Sequence, residues 1–313
     1  MALLFSSQAD DPVAWTGMLK RQLPDLDVRV WPEVGDVRDI DVALVWRYPK
    51  GDLKRYPNLR LMCSLGAGVE HILEDPDLPD VPLTRIVDPM LAADMAAFIA
   101  AAVLRHHCDL DAYARFQPAR QWHKIPRPHT HERTVGVMGL GEMGSASAAA
   151  LRALDFKVVG WSRTPRVRDL GHLAGVECYA GAPGLKAFLA RTQFLVCLLP
   201  LTPETRGIIN ADLLRQLPKG AFLINAARGG HVVAADLIAA LDAGHIAGAT
   251  LDVFEPEPLP PESPLWAHPR ILVTPHVASL TDPDTSCAQI VDNIRRLRAG
   301  EPLRHLVDRS RGY

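Results

Sequence analysis

The sequence predicts an α/β protein made of two doubly wound parallel-sheet units, and three observations lead there. Short apolar runs rich in β-branched residues alternate with helical stretches along most of the chain. A polar, proline-broken segment, KIPRPHTHER, divides that alternation in two. At 313 residues the chain also exceeds the roughly 250–300 residues at which one hydrophobic core stops growing.

In the first half the strands are expected at ALLF, VRVW, DVALVW and LRLMCSL, with a helix near Trp15 to Leu23 between the first two. A long helix follows from Leu91 to about Phe116. The second half carries strands at TVGVM, KVVGW, QFLVCLL, AFLINAA, GATLDV and ILVTP. From about Asp284 an amphipathic helix runs through Ile290, Ile294 and Leu297, and a polar tail ends at Tyr313.

Composition narrows the class of function. The chain is 48% hydrophobic and 22% charged, as folded globular proteins are. A net charge of -2, spread evenly, offers no basic face for a nucleic acid and no polybasic anchor for a membrane. The apolar start, Met1 to Phe5, lacks the basic flank and long core of a secretory signal, so a cytoplasmic location is expected. The apolar run Met95 to Leu104 makes about 15 Å of helix against a bilayer core of roughly 30 Å, and reads as a buried helix. Five dispersed cysteines, Cys63, Cys108, Cys178, Cys197 and Cys287, form no C-x-x-C pair and disfavour both disulfides and a cysteine metal site. His106, His107, His123, His129 and His131 sit beside no matching carboxylate spacing, so no metal is expected.

The strongest local motif is G-x-G-x-x-G at Gly139, Gly141 and Gly144, with Leu140, Glu142 and Met143 between. It follows a β-branched strand and opens an alanine-rich helix, as a dinucleotide site requires. The first glycine makes the turn, the second admits a pyrophosphate, and the third lets helix and strand pack, so the anion meets the positive end of the helix. A methyltransferase loop for an adenosyl group shares the pattern, as does a turn made for packing alone.

After the next strand, the position that reads the adenosine ribose holds Ser162, then Arg163, Thr164, Pro165 and Arg166, with no acid. A carboxylate there would repel a 2′-phosphate, whereas a hydroxyl and two guanidinium groups bind it. NADPH is therefore expected over NADH, against the alternative of a solvated basic loop.

Arg228, Glu257 and His276 follow the strands FLINAA, ATLDV and ILVTP. In an open parallel sheet all strand carboxyl ends share one edge, where ligands bind, so the three converge. The LLPLTPET loop, with Leu199, Pro200 and Thr202, leaves the sheet at the same edge. Reduction of a keto acid needs a hydride donor, a proton for the alkoxide and a cation for the substrate anion. His276 fits the general acid, Glu257 the partner that orients its ring, and Arg228 the fork that holds carboxylate and carbonyl. Ala226, Ala227, Arg228, Asp252 and His276 complete the expected dinucleotide set at that edge.

With these residues in place, the chain resembles the D-isomer-specific 2-hydroxyacid dehydrogenases. The resemblance runs from about Leu61 to Ser279 through CSLGAGVEHI, GVMGLGEMG, LLPLTPETRGIIN, INAARGG, AGATLDVFEPEPLP, SPLW and TPHVAS. VWRYP and WSRTPR look most like the bacterial glyoxylate/hydroxypyruvate reductases of the A type. The resemblance implies a Rossmann-like cofactor domain, 103–282, inserted into a flavodoxin-like substrate domain, 1–102 and 283–313. It implies that the loop of Leu65, Gly66, Ala67, Gly68 and Val69 binds the substrate carboxylate through backbone amides, and that Trp46 closes over a small substrate. The implied reaction is reduction of glyoxylate, hydroxypyruvate or a similar 2-keto acid by a homodimer. A relative with a larger or different substrate and a dinucleotide-sensing binding protein are the competing readings. One departure is DMAAF in the long helix, where many relatives carry a glutamate after the first alanine.

Overall fold

A computed structural model describes residues 1–165 and 173–312, which divide into two units. Met1–Met90 with Thr281–Tyr313 form the first, and Leu91–Leu280 lie between those segments in sequence and form the second.

The first unit is a five-stranded sheet of β1 (Ala2–Ser7), β2 (Asp27–Val30), β3 (Ile40–Trp46), β4 (Leu61–Ser64) and β5 (Leu83–Thr84). All its pairs are parallel, in the order β2-β1-β3-β4-β5, the flavodoxin-like order. β1, β3 and β4 are buried almost throughout, which is why they read as unbroken apolar runs. Two helices of this unit are α1 (Pro12–Gln22) and α2 (Glu70–Leu73). Asp11 caps α1 by accepting from the Val13 amide, Pro12 occupies the first turn, and Lys20 and Arg21 close the last. The same device starts the helix Pro283–Ala299, with Asp282 as cap and Pro283 behind it. That helix buries Cys287, Ile290, Val291 and Ile294.

The second unit opens with α3 (Pro89–His107) and α4 (Leu110–Phe116). The single helix expected from Leu91 to Phe116 is therefore two, broken at Asp109, whose φ of 53° is left-handed. α3 is long and apolar enough to cross a membrane by length and composition. It is instead a core helix, with Met95, Ile99, Ala102 and Val103 packed among Val135, Val137, Leu151 and Phe194. That packing explains why the chain divides at Met90 and Leu91 rather than at the expected 102 and 103: α3 belongs to the second core.

The second sheet has seven strands: β6 (Thr134–Met138), β7 (Lys157–Ser162), β8 (Glu177–Ala180), β9 (Phe194–Cys197), β10 (Ala221–Asn225), β11 (Ile246–Leu251) and β12 (Ile271–Val273). All are parallel, in the order β12-β11-β10-β9-β6-β7-β8, so the order reverses between β6 and β9. Among its helices are α5 (Glu142–Ala153), α6 (Gly181–Arg191), α7 (Ala211–Gln216), α8 (Ala234–Asp242) and α9 (Pro264–Ala267). Two apolar clusters cover the sheet, one holding Phe188, Leu213, Leu223 and Leu237, the other α3 and Ala148. All five cysteines are free thiols, with Cys63, Cys197 and Cys287 buried.

Candidate active site

Because the second sheet is wholly parallel, the loops leaving β6, β9, β10, β11 and β12 emerge at one edge. The glycine turn between β6 and α5 gives each glycine a distinct task. Gly139 has φ +96°, and a β-carbon on it would meet the Leu198 carbonyl oxygen at 2.5 Å. A β-carbon on Gly144 would lie 1.8 Å from the Gly139 oxygen, so this glycine lets the helix close on the turn. At Gly141 nothing lies within 4 Å of that position. Open space thus stands at the amino end of α5, where backbone N–H groups and the helix dipole favour an anion. The cradle fits a dinucleotide pyrophosphate.

At the ribose position, Ser162 is buried and its hydroxyl donates to the Thr164 carbonyl at 2.8 Å, shaping the turn. Arg163 is exposed. A carboxylate that sequence reasoning missed stands near it: Glu204 accepts from the Thr202 hydroxyl at 2.7 Å. That hydrogen bond is the main cause that holds the Glu204 carboxyl below its ordinary value, and the Arg163 guanidinium adds to it. Arg166 lies outside the described residues. Leu140, Leu199, Thr202, Ala226 and Ala227 are buried at the loop bases.

Two of the three expected residues, Glu257 and His276, are brought into contact by their loops. His276 Nδ1 lies 2.9 Å from Glu257 Oε2, and Glu257 Oε1 accepts from the Phe254 amide at 2.9 Å. A β-carbon on Gly229 would meet the Phe254 carbonyl carbon at 2.0 Å, so the turn after Arg228 packs directly on the backbone that carries Glu257. Arg228 Nη1 donates to the Ala227 carbonyl at 2.6 Å.

His276 itself has φ +57°, a conformation costly for a residue with a β-carbon. Asp252 holds it there. The Asp252 carbonyl accepts the His276 amide at 2.7 Å, and its carboxylate accepts the Thr274 hydroxyl at 2.6 Å and the Val277 and Ala278 amides, each at 2.9 Å. Expected among the dinucleotide contacts, Asp252 is fully enclosed and anchors the histidine loop. Asn225 does the same for Arg228, donating to its carbonyl at 2.9 Å and accepting the Ala227 amide at 3.2 Å. A buried polar residue ending an apolar strand, as Asn225 does, is the sequence signal that could have marked it.

In the first unit, the Trp46 indole lies over Gly66, where a β-carbon would meet its ring at 2.6 Å, and packs edge-on against His71 at 4.3 Å. The Leu65–Val69 loop is braced by Ser64, whose hydroxyl accepts the Gly66 amide at 3.2 Å and donates to the Gly68 carbonyl at 3.1 Å. His106 and His107 are core residues: His106 pairs with Thr250 at 3.0 Å and stacks on Phe222, and His107 packs edge-on against Phe156. Among the described residues no group of histidine, cysteine and carboxylate side chains is arranged to hold a metal ion.

Residues 100–278 match the family model "D-isomer specific 2-hydroxyacid dehydrogenase, NAD binding domain". A D-isomer specific 2-hydroxyacid dehydrogenase from Xanthobacter autotrophicus, crystallised with NADPH and MES, is 48% identical, with TM-score 0.94 over 100% of this chain and 99% of that one. An NADPH-dependent glyoxylate/hydroxypyruvate reductase from Sinorhizobium meliloti, crystallised with NADP and sulfate, is 40% identical, with TM-score 0.92 over 100% and 99%. A probable 2-hydroxyacid dehydrogenase from Rhizobium etli, in complex with NADP, HEPES and L(+)-tartaric acid, is 35% identical, with TM-score 0.90 over 100% and 99%. Sheet order, glycine turn and these matches agree: the chain belongs to the D-isomer specific 2-hydroxyacid dehydrogenase family.

Proposed function

We propose that this protein reduces small 2-keto acids, glyoxylate and hydroxypyruvate among them, to 2-hydroxy acids with NADPH in preference to NADH. The observation that carries the proposal is the His276–Glu257 pair at the sheet edge that also bears the glycine turn and Arg228.

When bound, the dinucleotide supplies the hydride. With Nδ1 engaged by Glu257, the His276 ring is left with Nε2 to donate a proton to the carbonyl oxygen as it gains negative charge. Glu257 steadies the ring. Arg228 binds the substrate carboxylate and carbonyl oxygen as a planar fork. One proton is consumed per turnover, so acidification favours reduction. Gly139, Gly141 and Gly144 hold the pyrophosphate, and Ser162, Arg163, Thr164 and Arg166 receive the 2′-phosphate. Leu140, Glu142, Met143, Leu199, Pro200, Thr202, Ala226, Ala227 and Asp252 line or support that site. In the first unit, Trp46 and the loop of Leu65, Gly66, Ala67 and Gly68 bind the small acid.

NADP bound to the relatives from Sinorhizobium meliloti and Rhizobium etli supports the cofactor, and the activity of the former supports the substrate class. A cytoplasmic homodimer completes the reading; Trp122, 96% exposed, and Leu110 supply apolar surface for a partner copy. Loss of reduced-nicotinamide absorbance with a panel of 2-keto acids, using NADPH and NADH in parallel, tests the whole. Turnover confined to larger acids replaces the substrate class, and dinucleotide binding without turnover of any acid leaves a sensing protein.

A further inference from the structure

His231 follows Arg228 by three residues and is fully enclosed, at 0% exposure. Its Nδ1 lies 3.1 Å from the Arg228 carbonyl oxygen and its Nε2 3.2 Å from the Pro200 carbonyl oxygen. Both partners can only accept. A neutral imidazole owns one N–H, and would set the lone pair of its other nitrogen against a carbonyl oxygen where water cannot intervene. An imidazolium donates to both. Burial works to lower the His231 pKa, but the neighbouring Cys197 sulfur and the two carbonyls outweigh it and hold the ring above its ordinary value. The other charged groups near this turn are the Arg228 guanidinium on the same turn and the Arg206–Glu255 ion pair, which flanks Gly230.

The Arg228 carbonyl therefore takes three donors, the His231 ring, the His231 backbone amide at 3.3 Å and the Asn225 side chain. The Pro200 carbonyl, which also accepts the Thr205 hydroxyl at 2.7 Å, belongs to the loop after β9. We infer that His231 is a positioning residue, a buried imidazolium strut that ties the Arg228 turn to the Pro200 loop and so sets where the guanidinium is held for the substrate carboxylate. The inference rests on the reading of Arg228 as the substrate fork. It assigns to His231 no contact with substrate or cofactor.

Three variants divide the two bonds. His231→Asn keeps a donor at the Nδ1 position, His231→Gln keeps one at the Nε2 position, and His231→Leu keeps neither. With NADPH saturating, the expected result is a rise of about tenfold in the keto-acid KM for all three variants, because each breaks the tie at one end at least, as loss of a charged hydrogen bond of ~1.5 kcal/mol implies. kcat and the NADPH KM should stay within a few-fold. An unchanged keto-acid KM in the Leu variant overturns the inference, as does full wild-type KM in either variant that keeps a single end. Independently of turnover, ¹⁵N-histidine NMR of the wild-type protein at neutral pH, with the His231 signal assigned by its loss in His231→Asn, should show both ring nitrogens protonated. A neutral tautomer overturns the inference even if the other variants fail to fold. A wild-type protein that reduces no keto acid while showing that imidazolium signal removes the activity reading and leaves the strut standing.

Discussion

Glu257 Oε2 stands 2.9 Å from His276 Nδ1, and its side chain is the more sheltered of the two, at 15% exposure against 31%. The carboxylate thus lies behind the ring. His276→Ala should lower kcat by about 10² to 10⁴ while NADPH still binds, because a general acid is lost and the glycine turn is untouched. Glu257→Gln should keep a hydrogen bond but lose the charge, and lower kcat by about tenfold or more. Stopped-flow turnover beside fluorescence titration of NADPH checks both. Near-normal turnover of the alanine variant removes His276 from the role of acid.

The glycine turn separates packing from ligand binding. Gly144→Ala would press a methyl group onto the Gly139 oxygen, and should cost about 1–3 kcal/mol, seen as a lower melting temperature. Gly141→Ala meets nothing in the protein, so the melting temperature should hold while NADPH binding weakens. Equal loss of stability in the two variants would contradict the division.

At the ribose loop, Arg163→Ala should reduce the preference for NADPH over NADH by about 10-fold to 100-fold, the range expected for one hydrogen bond to a charged group. Ser162→Asp should lower it further, since a carboxylate there repels the 2′-phosphate. The ratio of kcat/KM for the two cofactors is the measurement, and a ratio unmoved by both changes would place the 2′-phosphate elsewhere.

His106 should make the fold sensitive to acid. Burial first, and the Arg105 guanidinium after it, push the ring down to about 4, against the opposing pull of Asp111. The unfolded chain takes up its proton near 6.5, so the stabilisation is complete above that pH and is lost as pH falls towards 4. The loss is on the order of 3 kcal/mol. Denaturant titrations between pH 7 and pH 4 should show the slope in the wild type and a shallower one in His106→Gln.

What was legible followed from periodicity and chemistry. Parallel strands buried on both faces announce themselves as apolar runs, so β1, β3, β4, β6, β7 and β9 to β12 could be placed from sequence. β5 and β8 could not, because one has two residues and the other, ECYA, is a partly exposed edge strand with a polar start. The break after His107 escaped notice because α3 and α4 are both good helical sequences, and Asp109 turns the chain by its backbone. Helix α3 is apolar on most sides, so its pattern could not say which core would claim it.

At the site, residues with an obvious chemical role were visible: the glycines, Arg228, Glu257 and His276. Of those that hold them, Asp252 was expected only as a dinucleotide contact, and Asn225 and His231 were not marked at all. Asn225, Asp252 and His231 act through backbone carbonyls and amides, and a sequence shows side chains only.

The enclosed thiols give the molecule a built-in clock for its own opening. Cys63 and Cys287 report on one unit and Cys197 on the other, and none is tied in a disulfide. A disulfide reagent such as Ellman's should label each only when its surroundings breathe, so the order of labelling, read by mass, would rank the two units by local opening free energy.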